Sequence, residues 1–361
     1  MGKEVFSPSE PAENETRSSI RRVVGAQLSE EARQRILGEE SERFKAQERP
    51  EWDRHEVAKT PEQLELLAFV DHATDRLLHE HGREAFHIPP DNHHLLDEEG
   101  RRKLGLRWES GGSYSIKDQA IFMRPVGEPV IFGLVAYHET LHFKSHQALQ
   151  RLYPGKEVLP YRRGFEIVTR HGHRSYFRQL DEAVIQELSN RFTRESLSEH
   201  PLTKDAVAAS EGRRKLILQH ADKLAEEDVE FLQELVPYIG ELPEKARAAF
   251  SQADLPVEQA RRAFTDCKHL NVLIHPYAER LRDLHLLVEE IYRRKGEQFA
   301  NQEEVFELFV EAVVTGNVLP VGRVIDTTFG KGSFRRLGNG EQILDHSRAA
   351  DESADEESAQ E

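Results

Sequence analysis

The chain has 361 residues, 38% hydrophobic and 32% charged, which allows a sizeable core and two or three domains. Its formal net charge of -16 and pI near 5.6 exclude bulk electrostatic attraction to nucleic acid or anionic lipid. The single cysteine, Cys267, rules out an internal disulfide framework and any zinc site built on several thiolates.

Residues 1–25 mix Ser, Pro, Glu and Asn with little periodicity and predict a disordered N-terminal segment. They hold no apolar stretch of the kind a secretory signal needs. Phe6 stands where a myristoylation signal requires Ser or Thr. No run approaches the ~18 apolar residues of a membrane span. The expectation is a cytoplasmic protein with no membrane partner.

The first helix is predicted over 62–80, where Leu64, Leu67, Val70, Ala73 (or Thr74) and Leu77 recur at steps of three and four. Gly82 marks its end. Short apolar runs from His93 to Leu96 and from Ala120 to Met123 predict strands, with a loop at Gly111-Gly112 between them. A helix opens near Pro129 and is expected to run to about Leu152, ahead of Tyr153-Pro154-Gly155. Residues 164–169 and 174–178 flank the turn-like His171-Gly172-His173 and suggest a hairpin, and a helix follows from Leu180 to Phe192. After Pro201 almost everything reads as helix, at 204–224, 226–240, 243–251, 276–294 and 302–315. The fold class is α+β: a mixed unit over 26–200, a helical unit over 201–340, and a disordered acidic tail over 341–361.

The chemistry is concentrated in Tyr137-His138-Glu139-Thr140-Leu141-His142. Residues four apart share a helix face, so His138 and His142 can present imidazoles to one metal ion. Glu139 lies ~100° further round the helix and can hydrogen-bond a water on that metal without being a ligand. The preceding run from Val130 to Ala136 is nearly all apolar, so the helix should be buried, where two histidines and a glutamate need partners. A hydrolytic zinc site needs a third protein ligand. His146 continues the four-residue step, but it would lie about 12 Å from His138 along a straight helix, too far to share an ion. His171 and His173 share one side of the hairpin, but read more naturally as polar turn residues. Glu182 is the better choice. It sits among Ala183, Val184, Ile185 and Leu188 on the second helix, where its carboxylate either points inward or faces solvent.

Together, His138-Glu139-Thr140-Leu141-His142 and Asp181-Glu182-Ala183-Val184-Ile185-Gln186 resemble the gluzincin metallopeptidases, in particular the compact minigluzincins. The likeness covers roughly residues 60–340, strongly at the two ligand helices and loosely elsewhere. Gly112 and Tyr114 form a Gly-x-Tyr turn ahead of the active-site helix, Gly164-Phe165 opens the hairpin, and the helical half carries Ala312 to Asn317. The resemblance implies a zincin-like 26–200 unit with one zinc per chain, held by His138, His142 and Glu182, with Glu139 as general base. It implies hydrolysis of peptide or protein substrates by a zinc-activated water. It also implies that the strand from Ala120 to Met123 is the sheet edge on which an extended peptide docks.

Such enzymes add a Tyr or His that stabilises the oxyanion, for which Tyr176 and Tyr277 are the weak candidates. Two residues depart from the pattern. Asp181 stands where an Asn is usual, and Gln186 where an acid supports a ligand histidine less weakly than an amide would. The alternative reading is a non-catalytic relative that binds a protein partner. A DNA-binding regulator is less consistent with the chain. Its small basic clusters (Arg191 and Arg194; Arg213, Arg214 and Lys215) read as solvated helix faces, so no nucleic-acid partner is predicted.

Overall fold

The computed structural model describes residues 20–24, 28–46, 51–106, 111–151, 158–169, 174–208 and 278–344. The predicted helices at 226–240 and 243–251, most of 204–224, His171, His173, Tyr277, Cys267, the Arg213 cluster and the tail from 345 lie outside these residues.

The fold is α+β. Among the described residues, α1 (Glu30–Ala46) and α2 (Pro61–Glu80) precede β2 (His93–Leu95), α3 (Glu98–Lys103), β3 (Gly112–Ser115) and β4 (Ala120–Met123). The central helix α4 (Pro129–Lys144) leads into β5 (Gln147–Arg151), β6 (Val158–Arg163), β7 (Glu166–Val168), β8 (Ser175–Tyr176) and α5 (Arg178–Phe192). The C-terminal half comprises α6 (Ala278–Lys295), α7 (Gln302–Thr315), α8 (Leu319–Phe329) and α9 (Ser333–Gly338). No described helix is long and apolar enough to cross a membrane.

Local chemistry explains several boundaries. Thr60 and Gln63 form a reciprocal capping box, and Pro61 occupies the first turn of α2. The buried stripe of α2 is Leu66, Leu67, Val70, Thr74 and Leu78, rotated from the predicted face, and Leu64 is exposed. In α4, Glu128 accepts from the Ile131 N–H and Pro129 opens the helix as expected.

That helix ends at Lys144, not near Leu152. Ser145 Oγ donates to the His142 carbonyl, and Gln147 Nε2 donates to the carbonyls of His142 and Phe143. These side chains satisfy carbonyls that would otherwise be orphaned at the helix end. The following residues become β5, an interior strand.

One sheet has the order β1-β5-β6-β7-β8, where β1 is Ile20–Val24. β1 pairs parallel to β5, and Ile20 and Val23 pack with Leu149 and with Ile36 of α1. Residues 20–24 are therefore strand, whereas the whole of 1–25 was expected to be disordered. The predicted hairpin is the β7–β8 pair, extended by β6 into a meander.

The second sheet has the order β2-β4-β3. β4 lies between a parallel and an antiparallel neighbour, so the strand from Ala120 to Met123 has no open edge. β3, the segment expected to form a loop and turn, is one of the sheet's two edges. Its Gly112–Ser115 backbone pairs with Met123–Ala120.

A continuous apolar core joins both halves of the chain. It runs from Leu67 and Val70 of α2 through Val135 of α4 and Ile185 of α5 to Leu287, Phe309 and Ile325 of α6, α7 and α8. α4 is buried on all sides from Val130 to Lys144, as a helix apolar around its circumference should be.

At the end of α4, the Lys144 ammonium lies 2.7 Å from Asp71 Oδ1 and 2.5 Å from Asp75 Oδ1 on α2. Asp71 also meets His87 and accepts from the Ile88 N–H. Lys144→Met should therefore destabilise the fold by about 3 kcal/mol, because it leaves a buried carboxylate without its cation. Urea unfolding of both proteins checks this, and an unchanged midpoint would show that the pair contributes nothing.

Candidate metal centre

α4 and α5 carry the predicted residues to one point. His138 and His142, one turn apart on α4, place their Nε2 atoms 3.2 Å from each other. From α5, Glu182 Oε2 lies 3.5 Å from His138 Nε2 and 3.4 Å from His142 Nε2. All three residues are buried, and together they form a group that could hold a metal ion.

The spacing can be tested against a tetrahedral ion. Zinc bonds of 2.0–2.2 Å to imidazole nitrogen and carboxylate oxygen imply donor-to-donor edges of about 3.3–3.6 Å in a tetrahedron. The observed triangle has edges of 3.2, 3.4 and 3.5 Å. Glu182 Oε2 is buried yet makes no aligned hydrogen bond. A buried carboxylate oxygen left this way is costly, and a cation between the three donors would satisfy it. The donor set fits zinc.

The remaining contacts orient these donors. Asp181 is fully buried, with its Oδ1 accepting from the Phe165 N–H at 2.7 Å and its Oδ2 3.5 Å from His142 Nδ1. The carboxylate facing the outer nitrogen of His142 is therefore that of Asp181. Gln186, expected near that position, donates instead to Asn190. Gly164 makes the tight turn that brings Phe165 there. Its φ of +52° is the left-handed region glycine tolerates, and a Cβ at this position would overlap Asp181 Oδ1.

Arg163 is the functional neighbour that sequence reasoning missed. Its Nη2 lies 2.9 Å from Glu166 and 3.6 Å from Glu182 Oε1, the carboxylate oxygen turned away from the histidines. Burial opposes ionisation of Glu182, but His142, His138 and Arg163 outweigh it and hold the carboxyl well below the usual range. Burial lowers His142 to about 3, and Arg163 adds to that. That shift favours the neutral imidazole in His142, whereas in His138 burial is outweighed by the Glu182 and Glu139 carboxylates, which raise it. Burial raises Asp181 to about 7, with Glu182 adding to the rise.

Glu139 lines the same cleft without joining the triangle. Burial raises its carboxyl to about 7, partly countered by His138 and by the Tyr114 backbone N–H. β3 runs tight against it. A Cβ on Gly112 would come within 2.7 Å of Glu139 Cγ, so only glycine allows this approach.

The centre opens into a cleft of about 950 Å³ lined by β3, α5 and, from the C-terminal half, Arg280 and Leu337–Gly340. Phe177 ties these parts together at a left-handed backbone position. Its N–H donates to the Gly338 carbonyl and its ring packs on Phe334. Tyr176 sits in β8 opposite Ile167 and is not among the residues that line the cleft. His146, half-buried in the α4–β5 link, bonds through its N–H to the Val313 carbonyl. No protein-family model, curated protein or solved structure matches the chain.

Proposed function

We propose that the chain is a zinc-dependent metallopeptidase of the gluzincin type, acting on peptide or protein substrates. The donor triangle of His138, His142 and Glu182 carries this reading, because its edges are close to those of a tetrahedral ion and its carboxylate oxygen makes no aligned hydrogen bond. Bound there, zinc would polarise the scissile carbonyl and lower the pKa of a coordinated water toward ~7.

The chain's own groups do the rest. Glu139 accepts the proton of the attacking water and returns it to the leaving amine. Arg163 engages Glu182 Oε1, which leaves Oε2 for the ion. Asp181 Oδ2 stands 3.5 Å from the outer nitrogen of His142 without an aligned hydrogen bond, and a small rotation would let it steady the ring. The β3 edge, with Gly112, Ser113 and Tyr114 on the cleft, offers main-chain hydrogen bonds to an extended peptide. This replaces β4 as the docking strand.

A non-catalytic relative would have no use for a carboxylate beside the donor triangle in an open cleft, so Glu139 favours the enzyme. The test is metal analysis and peptide cleavage on the purified full chain. About one zinc per chain is expected, with cleavage abolished by a chelator and restored by zinc. Zinc-loaded protein that cleaves nothing across a broad peptide library would return the argument to the non-catalytic reading.

A further inference from the structure

The cleft carries a charge pattern opposite to that of the chain. The formal net charge is -16, yet three arginines, Arg163, Arg178 and Arg280, line the cleft. Among the described residues, the carboxylates that line it are Glu139 and Glu182, both already assigned to the centre. Arg163 is held by Glu182 and Glu166. Arg178 is mostly exposed and approaches Glu166 Oε1 only at 4.0 Å. Arg280 enters from α6, on a different element.

Arg178 is the first residue of α5, one turn ahead of Glu182 on the same face. Four residues of helix rise about 6 Å, while an extended peptide advances about 3.3 Å per residue. An extended peptide running along α5 from the centre would therefore bring a side chain about two residues from the scissile bond beside Arg178. A cation in the first turn opposes the helix dipole, so its placement does not serve the stability of α5. A ligand carboxylate would supply a closer partner than Glu166 at 4.0 Å.

Resting on the peptidase reading, we propose that Arg178 and Arg280 select acidic peptides, pairing with carboxylates that flank the bond to be cut. A nucleic acid is the weaker polyanion here, since its repeating charge would extend beyond the cleft onto an acidic protein.

Binding tests this without turnover. Zinc-loaded full-length Glu139→Gln protein is titrated by fluorescence anisotropy with a labelled ten-residue Asp/Glu-rich peptide and with its Asn/Gln counterpart. The acidic peptide should bind about tenfold more tightly, and the Arg178→Glu/Arg280→Glu variant should erase that ratio. The ratio should also shrink at high salt. Amidating the peptide C-terminus distinguishes the two carboxylate sources. Both peptides end in the same carboxylate, so the ratio between them reads side chains alone. Affinity that amidation removes equally from both, with no ratio between them, assigns the contact to the chain terminus and overturns the side-chain pairing.

Equal affinity for the two peptides would overturn the proposal, as would equally tight binding of an RNA oligonucleotide of the same length. The two readings fail separately. Protein that holds zinc and cleaves peptides without acidic preference sinks only the arginine assignment. An acidic preference in protein that takes up no zinc sinks only the peptidase.

Discussion

Replacing His142 with alanine is expected to lower zinc affinity by at least about 100-fold, because a contact one shell further out already costs 10–100-fold. His142 contributes one corner of the donor triangle, and it is the most buried of the three donor residues, at 2% exposed. Purified wild type should carry about one zinc per chain and His142→Ala much less, by mass spectrometry after dialysis against a weak chelator. Glu182→Gln should follow it, since the amide keeps the shape but removes the anion facing both imidazoles.

Asp181→Asn should be milder, near the 10-fold end, because Asp181 touches the metal only through His142. Circular dichroism on each variant separates a lost ligand from a lost fold. Stoichiometric zinc persisting in the His138→Ala/His142→Ala double variant would place the metal elsewhere.

The parts of this centre that sequence made legible are those governed by local rules. Two histidines at a four-residue step must share a helix face, and the apolar lead-in to α4 announces burial. Pro129 marks a helix start by backbone chemistry that acts within one turn. Glu182 needed more, because nothing local tells an inward carboxylate from an outward one. Its place at the triangle depends on α5 packing against α4.

The failures share a cause: tertiary pairing overrode a local signal. Residues 145–151 contain no glycine or proline to stop a helix, yet the gap between β1 and β6 recruits them as a strand. Ile20–Val24 carries too little pattern to announce a strand, and finds its partner more than a hundred residues later. Gly112–Ser115 looked like a turn because glycine usually marks one. Here glycine is demanded by the closeness of Glu139 and Val135. Arg163 had no signal at all, since its significance lies in contacts with Glu166 and, 19 residues on, Glu182. The arginines of the cleft are legible only after α5 and α6 have been placed beside the centre.

The sharpest separation of chemistry from metal binding comes from Glu139→Gln. The glutamine is nearly isosteric, so the close approach of Gly112 to this side chain survives, and the Tyr114 N–H can meet the amide oxygen in place of the carboxylate. What disappears is the ability to take a proton at neutral pH. Zinc content and thermal stability should stay at wild-type values, while peptidase activity falls by ~10²–10⁴-fold, the range for a positioned general base. The comparison with Glu182→Gln fixes the roles. Both changes remove one carboxylate from the same cleft, but only the loss of Glu182 should release the metal. Zinc lost on changing Glu139 and kept on changing Glu182 would reverse the assignment. Equal loss of zinc in both would mean that the two carboxylates act together as ligands, leaving Glu139 unable to serve as the base.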